Sequence, residues 1–236
     1  GRYAVSFSPF VNICGAGGIP EALPCAAAPI GELVVGEVDQ QVDFDLRVAH
    51  VEGELTLDGA PLPDADGPRG RLEFRERSRQ PSETTVQLGA EGPVNVDLRL
   101  GYGRYDVLLV SFGECPGPIP CGRTLVLEDH PIAGDEVLAL DLRFAPVSGR
   151  LTLDGAAPPP QPGPQSWGAL TFRPVAHPDS LLGVSLPLDG DRFEGRVPPG
   201  RHRVTFSAAH EQCAALPCGE GLLAEALEVG PEGLQR

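Results

Sequence analysis

The stretch VEGELTLDGAPLP, residues 51–63, returns as VSGRLTLDGAAPP at residues 147–159, a shift of 96 positions. Other segments return with nearly the same spacing. VDFDLRV at 42 recurs as LALDLRF at 138, and GRYAVSF at 1 recurs as GRYDVLLVSF at 103 and GRHRVTFS at 200. A unit of about 97 residues is therefore repeated in phase along the chain.

This repeat divides the chain into three parts. Residues 1–48 correspond to the C-terminal half of a unit, residues 49–145 to a complete unit, and residues 146–236 to a unit that lacks its last strand. Ends that fall inside a unit are typical of a window cut from a longer array, so we expect further repeats in the native product. The connections LRVAHVEG and LRFAPVSG are short, which favours restricted motion between neighbouring units.

Within the complete unit, apolar and charged residues alternate with a period of two. In RGRLEFRER, Leu72 and Phe74 alternate with charged residues that we expect to face water. The same pattern in the other segments gives seven short strands per unit, bounded by turns, which predicts an all-β chain of tandem Ig-like sandwich domains. Only GEGLLAEAL, residues 219–227, resembles a short helix.

Composition excludes some partners. The net charge is −15, from 33 acidic and 18 basic residues, and all the basic residues are arginine. Such an acidic surface repels nucleic-acid phosphates and anionic membrane surfaces, so we expect neither as a partner. No apolar run approaches the roughly 20 residues that a membrane-spanning helix needs, so we expect no membrane insertion.

The third unit carries VSGRLTLDG, then GALTFRPV, then LDGDRFEGRVPPGRHRVTFSA. This series resembles the carboxypeptidase regulatory-like and transthyretin-like (prealbumin-like) sandwich family, which is marked by an opening G-x-L/V-x-x-x-G hairpin, a D-G-x-F strand and a P-P-G-x-Y/H turn. Here Asp191, Phe193, Pro198, Pro199 and Gly200 fill the later positions. The resemblance implies spacers, stalks or accessory modules of exported bacterial proteins. The related Cna-B pilin sandwiches form a lysine isopeptide bond, which a chain without lysine cannot make.

The six cysteines form three close pairs, and each pair brackets one loop that follows a GRY or GRH strand: Cys14 and Cys25, Cys115 and Cys121, Cys213 and Cys218. Such pairs can meet disulfide geometry if their Cα atoms come within about 7 Å. Structural zinc needs four ligands, and no histidine recurs beside the pairs; free thiols are the remaining alternative. We predict one disulfide per unit, and therefore an extracellular or cell-surface protein from an oxidising compartment.

Motifs for catalysis are missing from the sequence. No G-x-S-x-G, H-E-x-x-H or G-x-x-x-x-G-K-[ST] pattern occurs, so we expect neither an enzyme nor a cofactor. Asp64 and Asp66 form a weak calcium candidate, because calcium loops use alternating carboxylates before a glycine but normally more ligands than two. Trp167 is a possible interface or sugar-stacking residue, with core packing as the alternative.

These patterns favour a structural role: a stalk, adhesin or filament whose partners are copies of itself or neighbouring repeats. Open sheet edges would allow strand complementation between chains, with the third unit as the acceptor. One alternative is an extracellular module that binds glycan or a surface protein through the stapled loops 14–25, 115–121 and 213–218. Another is an accessory domain of a larger exported enzyme.

Overall fold

The structure, a computed structural model, describes residues 1–9, 23–78, 82–111, 119–158, 168–177, 182–208 and 219–234. Its regular elements are all strands, which confirms the predicted all-β class. They are β1 (Arg2–Phe7), β2 (Ala28–Val34), β3 (Val48–Leu57), β4 (Ala60–Pro61), β5 (Gly70–Glu76), β6 (Glu83–Leu88), β7 (Val94–Gly101), β8 (Gly103–Ser111), β9 (Cys121–Ile132), β10 (Glu136–Leu142), β11 (Ala145–Arg150), β12 (Gly168–Pro174), β13 (Gly183–Asp189), β14 (Arg192–Val197), β15 (Gly200–Ala208), β16 (Glu220–Gly230) and β17 (Gly233–Leu234).

The expected short helix at residues 219–227 is wrong, because this segment lies in β16 and pairs antiparallel with β15. The register shifts between His202 and Val204 and again between Val204 and Thr205. Extra residues on β16 at these bulges disturb the period-two pattern, so the apolar spacing imitates a helix. Among the described residues, no helix is long and apolar enough to span a membrane.

The chain divides into two compact units, and unit 1 comprises Gly1–Leu62, Arg71–Leu109 and Leu125–Leu142. In its first sheet β3 lies between β10, which is parallel to it, and β7, which is antiparallel. In its second sheet the strand order is β9, β8, β5, β6. The strands contribute fully buried apolar side chains that form the core of this unit, among them Val51, Leu55, Leu72, Phe74, Leu98, Val107 and Leu140.

Unit 2 comprises Pro63–Gly70, Val110–Thr124 and Arg143–Arg236. One layer contains β16, β15, β12 and β13 in that order, and the other contains β11 paired antiparallel with β14. Both layers contribute to one apolar core, made up of Ala145, Val147, Leu170, Phe172, Val184, Leu186, Leu188, Val197, Val204, Phe206 and Val229. This unit is therefore sandwich-like. The repeat boundaries at residues 49, 145 and 146 stay a prediction.

One charged residue departs from the predicted alternation. Glu73 of β5 was expected to face water but is fully buried. Its carboxylate accepts hydrogen bonds from Arg71 at 2.6 Å and from Arg75 at 2.7 Å. Two guanidinium groups replace the water that the carboxylate loses, which is why a charge can be buried at this position.

Candidate functional site

The repeated sequences take part in one specific contact within unit 1, between β10 and the end of β3. The two strands are parallel, and Glu136 to Leu142 lie opposite Val51 to Leu57 in unbroken register. After β3 the chain turns at Asp58 and Gly59, whose φ angles are 52° and 77°. Both values lie in the left-handed region, which an Asp-Gly pair tolerates and a tight hairpin turn requires.

Polar groups of this turn bind the last residues of β10. The Asp141 carboxylate accepts hydrogen bonds from the Thr56 hydroxyl at 2.9 Å and from the Gly59 N–H at 2.8 Å. The Asp58 N–H donates to the Leu142 carbonyl at 2.9 Å. The sequence LTLDG therefore forms a small docking turn that recognises an Asp-Leu pair on the adjacent parallel strand.

The same turn is present in unit 2. Asp154 and Gly155 have φ angles of 52° and 80°, within a few degrees of those at Asp58 and Gly59. Thr152 stands where Thr56 stands in the earlier repeat, but it is exposed whereas Thr56 is half-buried. The second docking turn therefore has the geometry of the first without a strand covering it among the described residues.

The sheet edge that leads into this turn is only partly covered by the described strands. Among the described residues β11 pairs with β14, and no strand lies parallel to it in the way that β10 lies parallel to β3. The two-residue strand β17 lies close to this edge, since a Cβ on Gly233 would be 2.6 Å from the Pro146 carbonyl oxygen.

A segment that aligns with β10 in the repeat lies outside the sheets. Residues 42–46, VDFDL, match LALDL at 138–142, yet they belong to no strand. Val42 and Phe44 are 44% and 40% exposed, and the Asp45 side chain is 81% exposed beside Arg47. We call residues 42–46 the unpaired segment, because no described strand pairs with it.

A second contact recurs at the start of β8 and β15. The Tyr105 hydroxyl donates to the Gly101 carbonyl at 2.8 Å, and the His202 Nε2–H donates to the Pro198 carbonyl at 2.7 Å. Each ring thus fastens its strand to the residue four positions earlier. Burial raises the pKa of Tyr105, assisted by the negative charge of Glu76. Burial lowers the pKa of His202, opposed by its bond to Pro198 and by Glu228.

The predicted disulfide cysteines are only partly described. Cys25 and Cys121 each take part in a disulfide, and Cys25 is buried. The other four cysteines, Cys14, Cys115, Cys213 and Cys218, lie outside the described residues. One disulfide per repeat therefore stays a prediction. Most of the three loops proposed as a contact surface also lies outside the described residues.

The remaining candidate residues do not come together. Asp64 and Asp66 are both exposed, and no group of three or more potential metal ligands exists within the described part of the chain. Trp167 lies outside the described residues, so its role stays a prediction. Asp189 and Asp191 flank Gly190 between β13 and β14.

Sequence reasoning missed the docking turn, although both of its sequence motifs are recognisable as repeats. LTLDG and D-L-R both recur with a shift of 96 residues. Equal shifts indicate that the two motifs keep a fixed relation within each unit. The contact itself joins residues 85 positions apart, such as Thr56 and Asp141, and no local pattern shows such a distance.

Comparison with known proteins gives limited information. No protein-family model and no curated protein matches the chain. A DUF3823 family protein from Parabacteroides merdae matches with a TM-score of 0.28 and 13% identity, over 78% of this chain and 99% of that one. A Bacteroides uniformis protein proposed to bind carbohydrate matches with a TM-score of 0.28 and 11% identity, over 74% of this chain and 95% of that one.

The TIE protein of Bacillus anthracis matches with a TM-score of 0.25 and 9% identity, over 87% of this chain but only 36% of its own length. This chain therefore spans about a third of that protein. Because no family model matches the chain, the resemblance to transthyretin-like sandwiches stays an expectation.

Proposed function

We propose that this chain is a non-enzymatic structural repeat protein of the cell surface or extracellular space, part of a stalk, adhesin or filament. The observation that carries the proposal is the recurrence of one strand-docking device. The docking turn occurs at residues 56–59 and again at 152–155, and its strand sequence occurs at 42–46 and again at 138–142.

A repeated docking device suits an array better than it suits a single ligand site. Each unit supplies the same turn and the same strand, so units can be added in series without new contact chemistry. The repeated ring contacts of Tyr105 and His202 stabilise the same corner in successive units.

Export is part of the proposal. Cys25 and Cys121 take part in disulfides, and disulfides persist in oxidising compartments. The excess of acidic over basic residues, 33 against 18, supports solubility outside the cell rather than contact with nucleic acid. The partners that we propose are copies of the same chain or neighbouring repeats.

The test is to compare native exported material with the purified 236-residue chain by negative-stain electron microscopy. The proposal predicts regular fibres or serial arrays with a subunit period set by these domains. Mass spectrometry of the same material under non-reducing conditions should show three disulfides per 236 residues. Discrete small particles, or a catalytic domain on the same polypeptide, would contradict the structural role.

A further inference from the structure

We propose that His202 is a pH-dependent switch that controls the stability of one corner of unit 2. The neutral ring fastens the start of β15 to the residue four positions earlier, and a second proton on the ring loosens that attachment. Unit 1 carries Tyr105 at the equivalent position, so the same acidification would leave its corner closed. The switch would act whether or not copies of the chain assemble into an array.

The hydrogen bond of the ring determines which nitrogen carries the proton. A carbonyl oxygen can only accept, so the 2.7 Å contact between Nε2 of His202 and the Pro198 carbonyl places the proton on Nε2. Nδ1 is then the basic nitrogen of the neutral ring. It is buried and has no hydrogen-bond partner among the described residues. A second proton must therefore go to a nitrogen for which the described part of the chain supplies no acceptor.

The ring lies in mostly apolar surroundings. His202 is 2% exposed, and its ring is edge-on to that of Phe172 on β12, with the two centroids 6.3 Å apart. In the two neighbouring strands it lies opposite Pro174 of β12 and Leu227 of β16. A charge in such surroundings loses most of its hydration, so the protonated ring is disfavoured as long as the corner stays closed.

Nearby charges oppose this effect without cancelling it. The Glu228 carboxylate on β16 and the hydrogen bond to Pro198 both favour the protonated ring, but burial outweighs them and lowers the pKa of His202. Arg201 and Arg203, on either side of His202 along β15, are exposed, because alternate residues of a strand face opposite sides. Other charged residues on the neighbouring strands face water or have partners of their own: Glu225, which is exposed, Arg173, which binds Glu220, and Arg196, which donates to the Phe144 carbonyl.

The tyrosine of unit 1 shows that the corner does not require a titratable nitrogen. The Tyr105 hydroxyl makes the equivalent attachment to the Gly101 carbonyl at 2.8 Å, and Tyr105 is also 2% exposed. Burial raises the pKa of Tyr105, so its hydroxyl stays protonated at every acidic pH. His202 makes the same attachment and adds a buried basic nitrogen. What histidine adds to the corner is therefore sensitivity to acid.

Acid should open unit 2 locally at this corner. In the open corner the ring is hydrated and takes up a proton near pH 6.5, whereas the closed corner takes it up only at lower pH. Opening therefore becomes easier as the pH falls below about 6.5, and the gain stops once the pH is below the lowered pKa of the closed state. The register shift between His202 and Val204 interrupts the ladder to β16, so the first residues of β15 can separate while Val204 and Phe206 stay in the core.

The first experiment is a long-range proton–nitrogen NMR correlation of the 236-residue chain with ¹⁵N-labelled histidine, recorded as a pH titration. The signals of His202 are those that disappear in His202→Tyr. At pH 7.5 we expect a protonated Nε2 and a bare Nδ1, and a titration midpoint below the ordinary value of about 6.5. A proton on Nδ1 at pH 7.5, or a midpoint at or above about 6.5, would overturn the proposal.

The second experiment compares hydrogen-exchange protection factors of residues 200–208 and 103–111 at pH 7.5 and pH 5, each corrected for the intrinsic exchange rate. Protection at the start of β15 should fall about threefold or more in acid, while protection at the start of β8 stays unchanged. His202→Tyr should remove the fall, and Tyr105→His should transfer it to residues 103–111. His202→Phe, which lacks both the hydrogen bond and the basic nitrogen, should lower protection equally at the two pH values.

Two results would contradict the switch. One is a fall in acid that is as large in His202→Tyr as in the wild type. The other is a fall of the same size at residues 200–208 and 103–111 of the wild type. If Tyr105→His does not fold, the comparison of His202→Tyr with His202→Phe still decides, because these variants restore and remove the attachment without a titrating group.

Discussion

Residues 138–142 (LALDL) and residues 42–46 (VDFDL) share apolar residues at alternate positions and the final Asp-Leu pair, yet they have different structures. In the first segment Leu140 is 1% exposed and lies in the parallel strand β10. In the second, Phe44 at the equivalent position is 40% exposed and lies in no strand. The difference teaches that alternation of apolar and charged residues defines a potential strand, while a partner edge decides whether the strand forms.

The strands β3 and β11, which occupy equivalent positions in the repeat, differ in the same way. β3 lies between β7 and β10, and its Leu55 is fully buried. β11 pairs with β14 among the described residues, and Leu151, the equivalent of Leu55, is only partly buried. The burial of this position thus depends on the strand that covers it, as β10 covers Leu55.

The largest difference between the two segments is expected from truncating their central apolar residue. Leu140→Ala should lower the free energy of unfolding by about 2–5 kcal/mol, because it opens a cavity in a packed core. Phe44→Ala, measured at a concentration where the chain is monomeric, should change it by less than about 0.5 kcal/mol. Urea denaturation measures both values, and similar losses for the two variants would show that residues 42–46 are already packed in the monomer.

Removing the docking carboxylate should have a smaller effect with the same contrast. Asp141→Ala should cost about 1.5–3 kcal/mol, because it removes the Oδ1 atom that accepts from both the Thr56 hydroxyl and the Gly59 N–H. Asp45→Ala in the monomer should cost almost nothing, because the Asp45 side chain is 81% exposed. Thermal unfolding at a single protein concentration separates the two outcomes. An unchanged midpoint for Asp141→Ala would mean that the docking turn contributes no stability.

The hydrogen bond from the Tyr105 hydroxyl to the Gly101 carbonyl predicts a third contrast. Tyr105→Phe should cost about 1–2 kcal/mol, because it leaves the buried Gly101 carbonyl without its donor. Tyr3 occupies the equivalent position in the first repeat but is 56% exposed, so Tyr3→Phe should be neutral. Denaturant midpoints of both variants test this, and a cost at Tyr3 as large as at Tyr105 would contradict the account.

The smallest expected effect is a pH dependence of stability that arises from His202. Burial lowers the pKa of His202, so the folded chain favours the neutral ring, whose Nε2–H donates to Pro198. The unfolded chain takes up a proton near pH 6.5, so stability should fall as the pH drops below about 6.5. The loss should stop increasing once the pH is below the lowered pKa of the folded state.

His202→Tyr supplies the control for this dependence, because tyrosine occupies the same position in the complete repeat. Thermal midpoints of the wild type and the variant should be compared between pH 7.5 and pH 5. This range lies above the carboxyl pKa values of Asp129 and Glu220, which their arginine and threonine partners lower further. A wild-type midpoint that falls no more than that of His202→Tyr would disprove the role of His202.

Sequence reasoning predicted the all-β class because the β-strand period is local. Alternation in residues such as Leu72 and Phe74 identified strands, while the repeat indicated by the equal shifts between motifs stays a prediction. It failed where a distant partner decides the outcome. Glu73 is buried because two arginines neutralise it, and residues 219–227 form a strand because β15 pairs with them across two bulges.

The candidate site could be predicted only in part for the same reason. The recurrence of LTLDG follows from comparing repeats, whereas the Asp141 contact with Thr56 and Gly59 requires the parallel register of β10 and β3. That register joins strands more than 80 residues apart. The recurrence of both motifs with one shift is the sequence signal that points to it.

Hydrogen–deuterium exchange of residues 42–46 and of residues 138–142 in the dilute chain tests the central claim most directly. The account predicts rapid exchange at residues 42–46, which pair with no described strand, and strong protection at residues 138–142, which pair with β3. Equal protection of the two segments would contradict it.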